Sequence, residues 1–128
     1  MNIFGIGTDI VEISRIEDSI ERFGAKFIDR IFTEAEQVYC EKMGRPATHF
    51  AGRFAAKEAV VKAMGTGIGE HANWTDLEII NGTMGKPIVK LSGPAENYAK
   101  QNSITEIHLS LSHAHHYATA QAVAVTEK

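Results

Sequence analysis

One stretch, FAGRFAAKEAVVKAMGTG from Phe50 to Gly67, constrains the fold more than any other. It reads as a helix from about Thr48 to Met64, stopped by the glycines that follow. At ~100° per residue, alanines and valines fill most directions around its axis. A helix apolar nearly all round is normally buried. The rest of the chain must therefore cover it, and its charges must be paired, ligated or placed at an opening. Those charges are one carboxylate, Glu58, and three cations, Arg53, Lys57 and Lys62. With Ala51 at zero, Phe54, Glu58 and Lys62 fall near ~300°, ~340° and ~20°, and Arg53 and Lys57 lie on the opposite side near ~200° and ~240°.

The remaining periodicities supply the cover. NIFGIGTDIVEI alternates as a strand, with Phe4, Ile6, Thr8 and Ile10 on one side and Gly5, Gly7, Asp9 and Val11 on the other. SRIEDSIERF is a helix closed by Gly24, and AKFIDRIF a short helix or helical turn. Thr33 and Glu36 form a capping box for TEAEQVYCEKM, after which Gly44 and Pro46 break the chain. WTDLEII and PIVKL are strands around the turn NGTMGK. GPAENYAKQNS is a helix with Pro94 in its first turn, and TEIHLSLSH and YATAQAVAV are strands joined through AHH. The expected class is α+β, a small, mostly antiparallel sheet packed on one long helix, with residues 1–128 as one domain.

The chain's 128 residues, 44% of them hydrophobic, suffice for one modest core. No apolar run is long enough to span a bilayer. A single cysteine, Cys40, rules out an internal disulfide and suits a reducing cytoplasm. A formal charge of -3 gives no general attraction to nucleic acid.

Two features carry chemistry. Glu58 either pairs with Lys62 at i,i+4 or serves a ligand. The ending GTGIG supports the second choice: glycines let a large ligand approach, and successive amides can form an anion nest. A plain C-cap accounts for at least Gly65. Gly5 and Gly7 precede Asp9 on one strand face and leave space beside that carboxylate. Asp9 either caps a turn or joins Glu58 around Mg²⁺, an ion that takes one or two protein carboxylates plus substrate phosphates. His113, His115 and His116 suggest zinc weakly, since no second ligand pair accompanies them; a solvated turn accounts for His115 and His116. Ala118, Ala120, Ala122 and Ala124 share a strand face, which admits either a neighbouring subunit or a helix of the same chain.

Four segments, GIGTDIVEISRI, FAGRFAAKEAVVKAMGTGI, GKP and SHAHHYATAQAVA, in this order, resemble the holo-acyl-carrier-protein synthase family, the short bacterial-type 4'-phosphopantetheinyl transferases. The pairing of G-x-D with [RF]-F-x-x-K-E-A is specific. The resemblance implies transfer of 4'-phosphopantetheine from coenzyme A to a serine of apo acyl carrier protein, releasing adenosine 3',5'-bisphosphate, for fatty-acid synthesis in the cytoplasm. It also implies Mg²⁺ and a homotrimer with coenzyme A between subunits.

By the same resemblance, Asp9 and Glu58 hold Mg²⁺ and Lys62 lies near the diphosphate. Arg53 and the run Gly65, Thr66, Gly67 and Ile68 contact coenzyme A, and Pro87, Ser112 and His113 contact it from the cleft rim or a neighbouring subunit. Arg15 and Arg22 meet the acidic carrier protein. The chain departs from some members after the Ser112–His113 pair, where it has Ala114, His115 and His116. Phosphoryl transfer needs positioning and charge neutralisation more than covalent chemistry. The serine comes from the carrier, and its proton goes to a water held by Glu58 on the metal or to His113. The rivals are a non-catalytic module that binds the carrier or coenzyme A, and a structural trimer-forming domain.

Overall fold

The computed structural model describes residues 1–128. Strand β1, Asn2–Glu12, leads into helices α1, Ile13–Phe23, α2, Ala25–Ile31, and α3, Glu34–Glu41. The long helix α4, Pro46–Met64, follows. Then come β2, Leu77–Asn81, β3, Pro87–Leu91, α5, Gly93–Gln101, β4, Ile104–His113, and β5, Tyr117–Thr126. The α+β expectation holds, but the strands form two antiparallel sheets rather than one, a three-stranded β1-β5-β4 and a two-stranded β2-β3.

Local signals explain most boundaries. Thr33 and Glu36 make the reciprocal capping box expected of them. Gly24 and Gly65 follow their helices at φ 54° and 79°, where a Cβ would be strained. Pro46 opens α4 instead of breaking the chain: a first-turn position needs no amide hydrogen bond. Trp74–Asp76 forms a 3₁₀ turn ahead of β2, so the strand starts later than its apolar run suggested.

Helix α4 lies across the inner face of β1-β5-β4, and the approach is very close. A Cβ on Gly5 would sit 2.2 Å from the Ala63 carbonyl oxygen, and one on Gly7 would sit 1.9 Å from that of Ala59. The space beside Asp9 expected from these glycines is therefore occupied by the backbone of α4. Ala118, Ala120, Ala122 and Ala124 complete the floor and are at most 1% exposed, which resolves the alanine stripe in favour of an intramolecular helix. A β-bulge between Ile3 and Gly5 moves Phe4 onto the core. Phe4 thus leaves the face it was expected to share with Ile6, Thr8 and Ile10, where Ile3 takes its place.

On its other side α4 buries Lys57 completely. The Lys57 ammonium lies 2.7 Å from Glu36 and donates to the Ile31 and Trp74 carbonyls at 2.6 and 3.0 Å. The second Glu36 oxygen accepts the Ile79 amide at 2.7 Å. One ion pair thereby ties α2, α3, α4 and β2 together. With every polar atom partnered, it meets the condition under which a buried charge is tolerable.

Candidate active site and ligand-binding cleft

The close packing of α4 on β1 brings Asp9, Glu58 and Lys62 together. Asp9 follows Gly5 and Gly7 on the helix-facing side of the strand, and its side chain is 17% exposed. Lys62 lies across the edge of β1, donating to the Thr8 carbonyl at 2.9 Å and to Asp9 Oδ1 at 3.2 Å. Lys62 thus pairs between helix and strand, and not within α4 as the first of the two alternatives for Glu58 had it. Glu58 is half-buried, and burial pushes its carboxyl above the usual range. The Asp9 charge pushes it further, and Lys62 works in the opposite direction. A half-buried carboxylate whose charge is disfavoured by a second one beside it, with a single lysine bonded to that second one, is part of an oxygen donor set short of positive charge. A hard divalent cation fits that requirement.

Beside them lies an open cleft of about 450 Å³, lined by Thr8, Asp9, Ile10, Lys62, Thr119 and Gln121. The glycine run begins one residue after α4. Its amides do not form an anion nest: those of Gly65, Thr66 and Gly67 turn back to the Lys62 and Val61 carbonyls, and that of Gly69 bonds Ala72. Ile68 packs against the core. The run is a tight exit from the helix whose glycines leave open space where side chains would stand.

The other expected contacts fall elsewhere in the chain. Arg53 is 6% exposed, with its guanidinium over the Tyr39 ring at 4.1 Å from the centroid. Ser112 lies on the outer face of the three-stranded sheet, whereas the His113 ring meets that of His49 at 5.9 Å. Pro87 starts β3 in the separate two-stranded sheet. His115 and His116 contact each other in the β4–β5 turn, away from the His113–His49 contact. Cys40 is fully buried, and burial pushes its thiol up to about 12.

Arg15 is largely exposed and weakly paired with Glu12, and Arg22 lies over Phe23. Between α1 and α2 lies a groove of about 500 Å³ formed by Ser19, Phe23, Lys26, Phe27 and Arg30. Sequence reasoning passed over Lys26 and Arg30, although their i,i+4 spacing puts both on one side of α2. It also passed over His49, which is one turn before Arg53 on α4.

The 4'-phosphopantetheinyl transferase superfamily profile matches residues 5–125. Holo-[acyl-carrier-protein] synthase of Protochlamydia amoebophila is 50% identical over 119 residues, 93% of this chain and 95% of that protein. The solved synthase of Neisseria meningitidis superposes with a TM-score of 0.92 at 35% identity, over 98% of this chain and 100% of its own. The Helicobacter pylori synthase, solved in complex with coenzyme A, gives 0.84 at 34% identity, over 94% and 99%. On these matches the chain belongs to the 4'-phosphopantetheinyl transferase superfamily, among its holo-[acyl-carrier-protein] synthases.

Proposed function

We infer that this chain transfers 4'-phosphopantetheine from coenzyme A to a serine of apo acyl carrier protein, leaving adenosine 3',5'-bisphosphate. The observation that carries the residue-level reading is the meeting of Asp9 and Glu58, distant in sequence, beside one lysine at the mouth of an open cleft. Asp9 and Glu58 are the residues that would hold Mg²⁺. When bound, the ion supplies positive charge to the diphosphate as the leaving group develops.

The protein's own groups do the rest. Lys62 swings from Asp9 toward the diphosphate and adds a second positive charge. The exit loop from Gly65 to Ile68 keeps the backbone low, so that coenzyme A can lie against it. Of the two proton acceptors, the water held by Glu58 is favoured over His113, because Glu58 stands beside Asp9 and Asp9 lines the cleft. His113 rests on His49, about 13 Å back along the α4 axis from Glu58. Arg15 and Arg22, with Lys26 and Arg30 nearby, offer an acidic carrier a basic approach through α1 and α2.

Residues 1–128 act as one domain and assemble as a homotrimer in the cytoplasm. The outer face of β1 supports the assembly. Ile3, Ile6 and Ile10 are 68%, 71% and 63% exposed there, a row of large apolar side chains that a neighbouring subunit would cover. Pro87 belongs to the separate two-stranded sheet, so a neighbour's copy would supply it to the cleft, whereas Ser112 pairs with Thr119 of the cleft itself and stands at its rim. The test is direct. Incubation with coenzyme A, Mg²⁺ and an apo carrier should raise the carrier's mass by one phosphopantetheine group. An unchanged mass would favour the non-catalytic binding module.

A further inference from the structure

From Phe50 to Val61, every residue of α4 is buried except Phe54 and Glu58. The two stand one turn apart, and Lys62 continues the line toward the exit loop. Helical side chains lean toward the N-terminus, so the Glu58 carboxylate leans back over the turn that carries Phe54. The Phe54 ring is itself covered. Trp74 is stacked on it, with ring centroids 5.1 Å apart and planes inclined by 26°. The Trp74 side chain is half-buried, yet its main chain is held from two sides. The buried Lys57 ammonium donates to its carbonyl at 3.0 Å, and the Asn73–Asp76 capping box closes its 3₁₀ turn. Lys57 also donates to Ile31 at the end of α2, the helix whose Lys26, Phe27 and Arg30 line the basic groove. A buried cation with no part in the reaction thus fixes an aromatic plate between that groove and Glu58.

We propose that Trp74, stacked on Phe54, is a specificity-determining residue of the transfer: the two rings wall the acceptor side of Glu58, so that the carrier serine and not water reaches the phosphorus. This inference rests on the transfer reading above. Attacking and leaving oxygens lie roughly in line across a transferred phosphoryl group. The nucleotide leaves toward Lys62 and the exit loop, on the C-terminal side of Glu58. The acceptor therefore enters from the opposite side, over Phe54 and Trp74. That is also the side of the groove, since α2 packs against the Trp74 turn and Phe27, Phe54 and Trp74 share one core cluster. In the transfer, serine Oγ bonds to the phosphorus of the phosphopantetheine end. The bond from that phosphorus to the bridging oxygen breaks, and the bridging oxygen leaves on adenosine 3',5'-bisphosphate. The serine proton goes to the water held by Glu58. Water in place of serine releases the same nucleotide and free 4'-phosphopantetheine, and its proton goes to the same acceptor. An apolar plate offers a water molecule no hydrogen bond there, whereas a docked protein surface covers it.

The experiment counts products. Wild type, Trp74→Ala and Trp74→Phe are incubated with coenzyme A and Mg²⁺, with and without apo carrier. Adenosine 3',5'-bisphosphate is followed by chromatography and the carrier by mass. The wild type should release bisphosphate in step with carrier modification, and little without carrier. Trp74→Ala keeps the carbonyl that Lys57 holds, and loses only the ring. Without carrier it should release bisphosphate about tenfold faster than the wild type. With carrier it should release bisphosphate in excess over modified carrier. Trp74→Phe, which keeps a ring on Phe54, should restore the matched release. Bisphosphate affinity should be equal in all three, which a general loosening of the site would not allow. Matched release and wild-type hydrolysis in Trp74→Ala overturn the proposal. Should that variant melt early, Phe54→Leu decides, because it keeps apolar volume and removes the stacked ring: excess bisphosphate supports the proposal, and matched release overturns it. A wild type that leaves the carrier unmodified, while Trp74→Ala splits coenzyme A, contradicts the functional reading alone. A wild type that modifies the carrier, with no excess bisphosphate from either variant, contradicts this inference alone.

Discussion

At the scale of residues, Glu58 is the side chain most at odds with its surroundings. Burial and Asp9 raise its carboxyl, so the folded chain prefers it protonated. The resulting contribution to stability is full below the unfolded value near ~4.3 and is lost as pH rises through the folded value. In metal-free buffer, Glu58→Gln should therefore melt above the wild type at neutral pH and level with it near about pH 4. Added Mg²⁺ should stabilise the wild type and narrow the gap. A Glu58→Gln variant less stable than the wild type in metal-free neutral buffer would contradict this assignment. Glu58 and Asp9 were legible in the sequence because each is a carboxylate set among residues that do not solvate it. The partner of Lys62 was not legible. Asp9 outcompetes Glu58 for it across a helix–strand contact that no spacing rule describes. The Lys57–Glu36 pair was hidden for the same reason: Glu36 already had a complete local explanation as a capping residue.

At the scale of elements, the site depends on how closely α4 approaches β1. Gly7→Ala would put a methyl group into the Ala59 carbonyl and push the helix off the strand. The expected cost is about 1–3 kcal/mol, with Asp9 separated from Glu58 and Lys62. Gly44→Ala is the control, since a Cβ there meets nothing within 4 Å. Urea unfolding of both variants checks the claim, and a Gly7→Ala midpoint equal to that of Gly44→Ala would contradict it. The periodicities of α1 and β5 could be read directly because each buries one continuous face, and α4 because it is apolar nearly all round. The bulge at Ile3/Gly5 could not, since it arises from register with β5. Nor could the division into two sheets, which depends on β3 and β4 lying side by side without backbone pairing. Gly5 and Gly7 were correctly singled out, but what their missing side chains admit is a helix backbone.

At the scale of the whole molecule, the alanines of β5 lie beneath α4, so the surface available for assembly is the opposite face of the sheet. Replacing Ile6 and Ile10 together with Glu should leave the core intact and disperse the proposed trimer. Sedimentation velocity should then show an assembled wild type and a monomeric variant, and a monomeric wild type would contradict the assembly. In the sequence this face was only one side of an alternating strand. Its significance appears once α4 has claimed the other side.

The most direct test of the central claim is divalent-ion binding at the paired carboxylates, read by electron paramagnetic resonance of Mn²⁺ in the presence of adenosine 3',5'-bisphosphate. The prediction is a single class of site in the wild type, weakened about tenfold or more by Asp9→Asn and by Glu58→Gln separately. Wild-type Mn²⁺ affinity in either variant would contradict it.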